Sequence, residues 1–128
     1  MGTKRVLVID DEENFCKLVK MNLELDRLFV VETAVEGKKG VELAKKFKPH
    51  IIILDIMMPR MSGFEVLEKL KKNIETIAIP VIMLSAKEDF DFQLKAAQLY
   101  DEMYLTKPVD APTLKIKILE VLKRRGIE

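Results

Sequence analysis

The sequence predicts an α/β fold, a doubly wound five-stranded parallel sheet with helices on both faces. Two observations carry that reading. Short apolar runs alternate with stretches of helical periodicity along all 128 residues, and strands that alternate with helices pair in parallel through right-handed crossovers. One run, Ile51 to Leu54, contains no polar residue, which is the signature of a strand covered on both faces.

Taken in order, Arg5 to Ile9 (RVLVI) reads as the first strand, closed by Asp10 and Asp11. A helix follows from Glu13 to about Asp26, with Phe15, Leu18, Val19, Asn22 and Leu25 near one face. Leu28 to Glu32 is a second strand. Gly37 to Phe47 is helical through Val41, Leu43, Ala44 and Phe47, and Pro49 stops it. The central strand ends on Asp55, after which Pro59 and Gly63 break the chain into a loop. Phe64 to Lys72 is a helix facing inward through Phe64, Val66, Leu67 and Leu70. Pro80 to Leu84 is the fourth strand, closed by Ser85. A helix with a mixed face is predicted over Glu88 to Leu99, and a short fifth strand over Met103 to Leu105. Asp110 to Arg125 is the last helix, with Leu114, Ile118, Val121 and Leu122 as its stripe.

Composition narrows the function. The length suits one domain, residues 1–128. Lys and Arg number 22 against 21 acids, so no charge excess points to direct nucleic-acid binding. The single cysteine, Cys16, has no internal disulfide partner, and a reducing, cytoplasmic setting is expected. No apolar run reaches membrane-spanning length, and the acidic turn after Ile9 does not suit a signal peptide.

One arrangement of five such strands, the flavodoxin-like order 2-1-3-4-5, has its switch point between strands 1 and 3. It makes neighbours of Asp10, Asp11 and Asp55, with Ser85 and Lys107 on their flank. Three crowded carboxylates repel and raise one another's pKa. A hard divalent cation relieves this, and Mg2+ suits a site of carboxylates, waters and a phosphate oxygen. One carboxylate can then attack phosphorus. Lys107 adds positive charge for phosphoryl oxygens and Ser85 a hydroxyl donor. Plainer readings exist for each residue. Asp10 to Glu13 suit a helix N-terminus, Asp55 a turn, and Ser85 with Glu88 a capping box. Lys107 suits solvent, Met57, Met58 and Met61 suit packing, Cys16 the core, and His50 a position just before a strand. They leave unexplained why every polar group stands at the C-terminal end of a separate strand.

Four segments together, VLVIDDE (Val6 to Glu12), LDIMMPRMSG (Leu54 to Gly63), PVIMLSA (Pro80 to Ala86) and YLTKP (Tyr104 to Pro108), resemble the response-regulator receiver domains of two-component signalling, the chemotaxis-regulator type included. The resemblance implies that Asp55 accepts the phosphoryl group from a sensor histidine kinase or a histidine phosphotransfer protein. It implies Asp11 as a direct Mg2+ ligand, Asp10 acting through a bound water, and the backbone carbonyl of Met57 completing the protein's share. Ser85 and Lys107 would contact the phosphoryl group. Tyr104 would be the switch aromatic that follows Ser85, Lys107–Pro108 a cis bond, and Met57 and Lys87 the residues tuning a slow self-hydrolysis. The output would be an altered surface for an unidentified downstream protein. His50 departs from the family's usual aspartate before the third strand, Tyr100 and Asp101 from Gly-Ala before the fifth, and Val109 from an aromatic after Lys-Pro.

Competing readings fit less well. A phosphatase with an aspartate nucleophile needs an acid-base aspartate where Met57 stands. A nucleotide-binding domain needs a Gly-rich loop after the first strand. A receiver-like scaffold that works without phosphorylation would have lost members of the acidic set.

The DNA-binding branch of the family pairs on activation through charged residues at the positions of Gln93 and Met103. Neither can form an ion pair, and such pairs set register and partner choice, which favours a stand-alone regulator. Sedimentation with and without beryllofluoride, a phosphoryl mimic, is expected to show no mimic-driven dimer. A mimic-dependent dimer abolished by mutations on the helices predicted over 88–99 and 110–125 would contradict this.

Overall fold

The computed structural model describes residues 2–85 and 103–127. Its elements are β1 (Lys4–Ile9), α1 (Glu13–Glu24), β2 (Phe29–Ala34), α2 (Gly37–Phe47), β3 (Ile51–Asp55), α3 (Gly63–Lys71), β4 (Val81–Ser85), β5 (Met103–Thr106) and α4 (Ala111–Arg124). The sheet has the order β2-β1-β3-β4-β5, and all four pairings are parallel. The fold class and strand order are those expected. The helix expected over 88–99, and with it Lys87 and Gln93, lies outside the described residues.

Strand alternation divides the core in two. Val6 and Val8 of β1, Ile51 and Ile53 of β3, and Ile82 and Leu84 of β4 face α1 and α4. Leu7 and Ile9, Ile52 and Leu54, and Val81 and Met83 face α2 and α3. The four residues Ile51 to Leu54 are fully buried because both faces of β3 are covered. Each such side chain contributes roughly 1.5–3 kcal/mol by leaving water. That apolar surplus is what lets the strand carry a buried carboxylate at its end.

The helices begin and end for local reasons. Ser62 caps α3 by accepting from the Glu65 N–H, and the Glu65 side chain returns to the Ser62 N–H as a capping box. Asp110 caps α4 by accepting from the Thr113 N–H, with a proline in the first turn. Lys48, in the left-handed region at φ 52°, ends α2 just before Pro49.

In α1 the buried face is only partly the expected one: Val19 is buried and Phe15 packs against the core as expected, but the rest of the stripe is not. Cys16, Val19 and Leu23 turn inward, while Leu18 and Leu25, both assigned to the core stripe, are 50% and 74% exposed. Both sets obey helical spacing, so periodicity could not choose between them. The rotation is set by polar contacts. Cys16 donates to the Asp10 carbonyl at 3.3 Å. Lys20 and Glu24 reach the edge strand β2, where Lys20 Nζ donates to the Val31 carbonyl and Glu24 Oε2 accepts from the Val31 N–H. Edge-facing backbone groups invite pairing with another chain, and two charged side chains fill them here. The Val31 N–H holds the Glu24 carboxyl below its usual pKa. β2 itself runs to Ala34, two residues beyond expectation, because its parallel register with β1 continues to Ile9 opposite Ala34.

His50 has a definite task. Its Nδ1 accepts the Arg5 N–H at 2.9 Å, and its backbone N–H donates to the Arg5 carbonyl at 2.8 Å. The Arg5 guanidinium in turn bonds the Phe47 and Lys48 carbonyls at the end of α2. The imidazole therefore ties β1 to the start of β3 only while Nδ1 is unprotonated, and Arg5 extends the tie to α2. Burial first, then the charges of Arg5 and Lys4, lower its pKa. With a lowered folded pKa the unfolded chain binds the extra proton first, so this stabilisation is complete above the unfolded value of about 6.5 and is lost as pH falls below it. In chemical denaturation, the wild type is expected to lose stability relative to His50→Asn as pH drops from 7.5 to 5. Parallel pH profiles for the two proteins would contradict this.

Candidate functional site

β1 and β3 lie side by side, with Ile9 opposite Leu54, so the residues following Ile9 and the last residue of β3 open at one end of the sheet. Carboxylate oxygens of Asp10, Asp11 and Asp55 there lie within 4.8 Å of one another. Asp10 is fully buried and Asp55 is 5% exposed, while Asp11 faces solvent. Lys107 arrives from the end of β5, its N–H bonded to the Ser85 carbonyl at 2.7 Å. Its ammonium lies 3.0 Å from Asp10 Oδ2 and 3.5 Å from Asp55 Oδ1. The Lys107–Pro108 peptide is cis. Ser85 is fully buried at the end of β4, one residue beyond Leu84, which pairs with Asp55. Tyr104 is half-buried against the α2 and α3 side of the core. Met57 is 55% exposed in the loop after β3. The structure thus brings together Asp10, Asp11, Asp55, Ser85 and Lys107, as the strand order implied.

The electrostatics are those of a site short of positive charge. Burial, then the charge of Asp10, pushes the Asp55 carboxyl up to about 7. Burial also raises Asp10, against the Glu12 N–H that donates to its Oδ1 at 2.9 Å. For Lys107 burial works toward a lower pKa, but Asp10, Asp55 and Glu12 outweigh it and hold the ammonium above its usual value. Asp10 Oδ2 is fully buried, and the Lys107 ammonium at 3.0 Å is what offsets its charge. Among the described residues, one lysine beside two buried carboxylates leaves net negative charge. Oxygen donors alone, clustered and partly buried, fit a hard divalent cation such as Mg2+.

Three residues of this site escaped the sequence reading. Gly63 opens α3 with its N–H on the Ile56 carbonyl at 2.7 Å, and a Cβ there would overlap the Asp55 carbonyl oxygen. Glycine at this place lets the loop after Asp55 fold back onto the strand it leaves. Glu12 Oε1 accepts a hydrogen bond from Lys107 Nζ at 3.1 Å across 95 residues of sequence. The Phe15 ring centroid lies 5.3 Å from the same ammonium. The glycine was readable as a turn signal, but no local spacing announces a contact between Lys107 and either α1-side residue. Cys16, close by, is buried, and burial pushes its thiol up to about 11, which makes it inert rather than reactive.

The fold and this cluster define a receiver module. A family model for the response regulator receiver domain matches residues 6–119, and the chain belongs to that family. It is therefore a signalling domain of the two-component type. It is 36% identical over 120 residues to the DNA-binding dual master transcriptional regulator RpaA of Synechocystis sp., a match covering 94% of this chain and 49% of that protein. It is 36% identical over 119 residues to protein PilH of Pseudomonas aeruginosa, covering 92% of this chain and 97% of that one. The chain spans about half the length of relatives such as RpaA and the Bacillus subtilis alkaline phosphatase synthesis regulator PhoP. Among solved structures, a receiver domain from Clostridium thermocellum superposes with a TM-score of 0.87 at 32% identity, covering 97% of this chain and 98% of that one. Chemotaxis protein CheY4 of Vibrio cholerae does so at 0.85 and 27%, covering 94% and 100%. No helix among the described residues is long and apolar enough to cross a membrane.

The raised Asp55 pKa has a thermodynamic sign. The folded protein binds a proton there that the unfolded chain has released, so stability falls as pH rises from about 4 to about 7. In metal-free buffer at pH 8, Asp55→Asn is expected to be more stable than wild type by on the order of 2 kcal/mol, the gap closing toward pH 4. Urea unfolding in chelator at the two pH values tests this, and an Asn variant less stable at pH 8 would contradict it.

Proposed function

We propose that this chain is a phosphorylation-dependent switch whose acceptor is Asp55. One observation supports it above all others. A buried carboxylate ends the central strand with two more carboxylates within 4.8 Å and an ammonium 3.5 Å away, an arrangement that costs stability unless charge chemistry uses it.

In this reading an Asp55 Oδ attacks the phosphorus of a phosphohistidine on a sensor histidine kinase or phosphotransfer protein. The O–P bond forms as the P–N bond breaks, and the imidazole leaves with the bonding pair. Asp11, Asp55 and the Met57 carbonyl, with Asp10 through water, would hold Mg2+, which would supply charge neutralisation for the transferring group. Lys107 and Ser85 hold the remaining phosphoryl oxygens. Ser85 moves toward the phosphate and Tyr104 fills the space behind it, changing the surface offered to a downstream protein. The side chain of Met57 offers no strong hydrogen bond to an attacking water, which with Lys87 would give slow self-hydrolysis. The single domain is the whole unit of this chemistry.

The relatives suggest two kinds of output, transcriptional control as in RpaA and a stand-alone protein as in PilH, which this chain matches along nearly its full length. The neutral Met103 favours the second.

Incubation with acetyl phosphate and Mg2+, followed by mass mapping of the adduct, is expected to place one phosphoryl group on Asp55. Undiminished label in Asp55→Asn, or label at another residue, would sink the assignment.

A further inference from the structure

Glu12 occupies the N-cap of α1, yet its side chain makes no capping hydrogen bond. It reaches the other way, to Lys107. Of the three carboxylates around that ammonium, Glu12 receives the well-formed hydrogen bond, at 3.1 Å. Asp10 Oδ2, fully buried, lies at 3.0 Å with poorer alignment, and Asp55 Oδ1 is the most distant of the three at 3.5 Å. The Phe15 ring stands beside the ammonium on another side, at 5.3 Å. Glu12, Phe15, Lys107, Pro108 and Val109 line one open cleft next to the acidic cluster.

An ammonium has three donors. Here the ammonium sits 3.0 Å from Asp10, 3.1 Å from Glu12 and 3.5 Å from Asp55, so Glu12 holds it more closely than Asp55 does. Charge-assisted hydrogen bonds run at about 2.7–2.9 Å, so the 3.5 Å separation from Asp55 is slack. A phosphoryl group carried by Asp55 needs a donor from this lysine, and the partner most easily given up is the solvent-exposed one. The Glu12 side chain is 65% exposed, against 0% for Asp10 and 7% for Asp55. Water can take over Glu12's hydrogen bond but cannot reach Asp10.

We infer that Glu12 is a positioning residue which holds Lys107 back in the resting protein and is exchanged for the phosphoryl oxygens on activation. The inference rests on Asp55 as the acceptor. It adds that the resting ion pair opposes phosphoryl binding, with Phe15 as the wall that confines the ammonium to a swing between the Glu12 and Asp55 sides. Exposed ion pairs are weak, so the effect is modest, about two- to fivefold in affinity.

The test is the affinity for beryllofluoride at saturating Mg2+, read by tryptophan-free methods such as calorimetry or 19F NMR. Glu12→Gln is expected to bind the mimic about two- to fivefold more tightly than wild type. In a Lys107→Met background the same substitution is expected to give a clearly smaller gain. Glu12→Asp, which keeps the charge but shortens the reach, is expected to behave like Glu12→Gln. An equal gain in both lysine backgrounds would make the effect a general charge effect and overturn the inference. So would unchanged or weaker binding by Glu12→Gln, or a Glu12→Asp indistinguishable from wild type. If the wild type takes up no beryllofluoride, the acceptor reading itself falls, and this inference with it.

Discussion

Two buried carboxylates and an exposed third share the end of a parallel sheet, and among the described residues one lysine, Lys107, offsets them. Coulomb repulsion between such groups grows as water is excluded, and burial raises the pKa of both Asp10 and Asp55. Apolar packing elsewhere has to carry that cost. It does so through two cores, one on each face of the sheet, with β3 fully buried between them. The strand that presents Asp55 is thus the one most firmly held, and its last residue cannot easily move away from Asp10. The fold converts hydrophobic burial into a fixed cluster of like charges, which a cation and an incoming phosphoryl group can relieve.

Several local features serve that geometry. Gly63 lets the loop after β3 close against the Asp55 carbonyl. The Lys107 N–H bond to the Ser85 carbonyl sets where the lysine leaves the sheet. His50 joins β1 to the start of β3 through both backbone groups of Arg5, so the two strands that bring Asp10 and Asp55 together are also locked at their opposite end. Lys20 and Glu24 seal the outer edge at β2. Gly63, His50, Lys20 and Glu24 perform no chemistry in the proposed reaction, yet each limits how the acidic cluster can relax.

Most of this was legible in the chain because strong signals agreed. The unbroken apolar runs Val6 to Ile9, Ile51 to Leu54 and Val81 to Leu84 admit little besides buried strands, and each ends on the polar residue that matters. Helix α1 was harder. Leu18 and Leu25 fit the helical spacing as well as Cys16 and Leu23 do, and the contacts of Lys20 and Glu24 with β2 and of Cys16 with Asp10 go with the face that turns in. Glu12 was hidden for a related reason. An acid at a helix start has a sufficient local explanation, and its contact with Lys107 exists only once β5 has been laid across the sheet. The role of His50 likewise depends on Arg5, which is distant in sequence and adjacent in space. Local patterning fixes element type and strand ends, whereas rotation about a helix axis and long-range side-chain pairs come from tertiary packing.

If unrelieved carboxylate repulsion is what the site is built around, a divalent cation should stabilise the folded protein in proportion to its binding there. The most direct measurement is the thermal midpoint of unfolding as Mg2+ is raised from chelated to millimolar levels at pH 8. The account predicts a midpoint that climbs with Mg2+ in the wild type, starting below that of Asp11→Ala or level with it, and stays nearly flat in Asp11→Ala. A wild-type midpoint indifferent to Mg2+, or an equal rise in the variant, would contradict it.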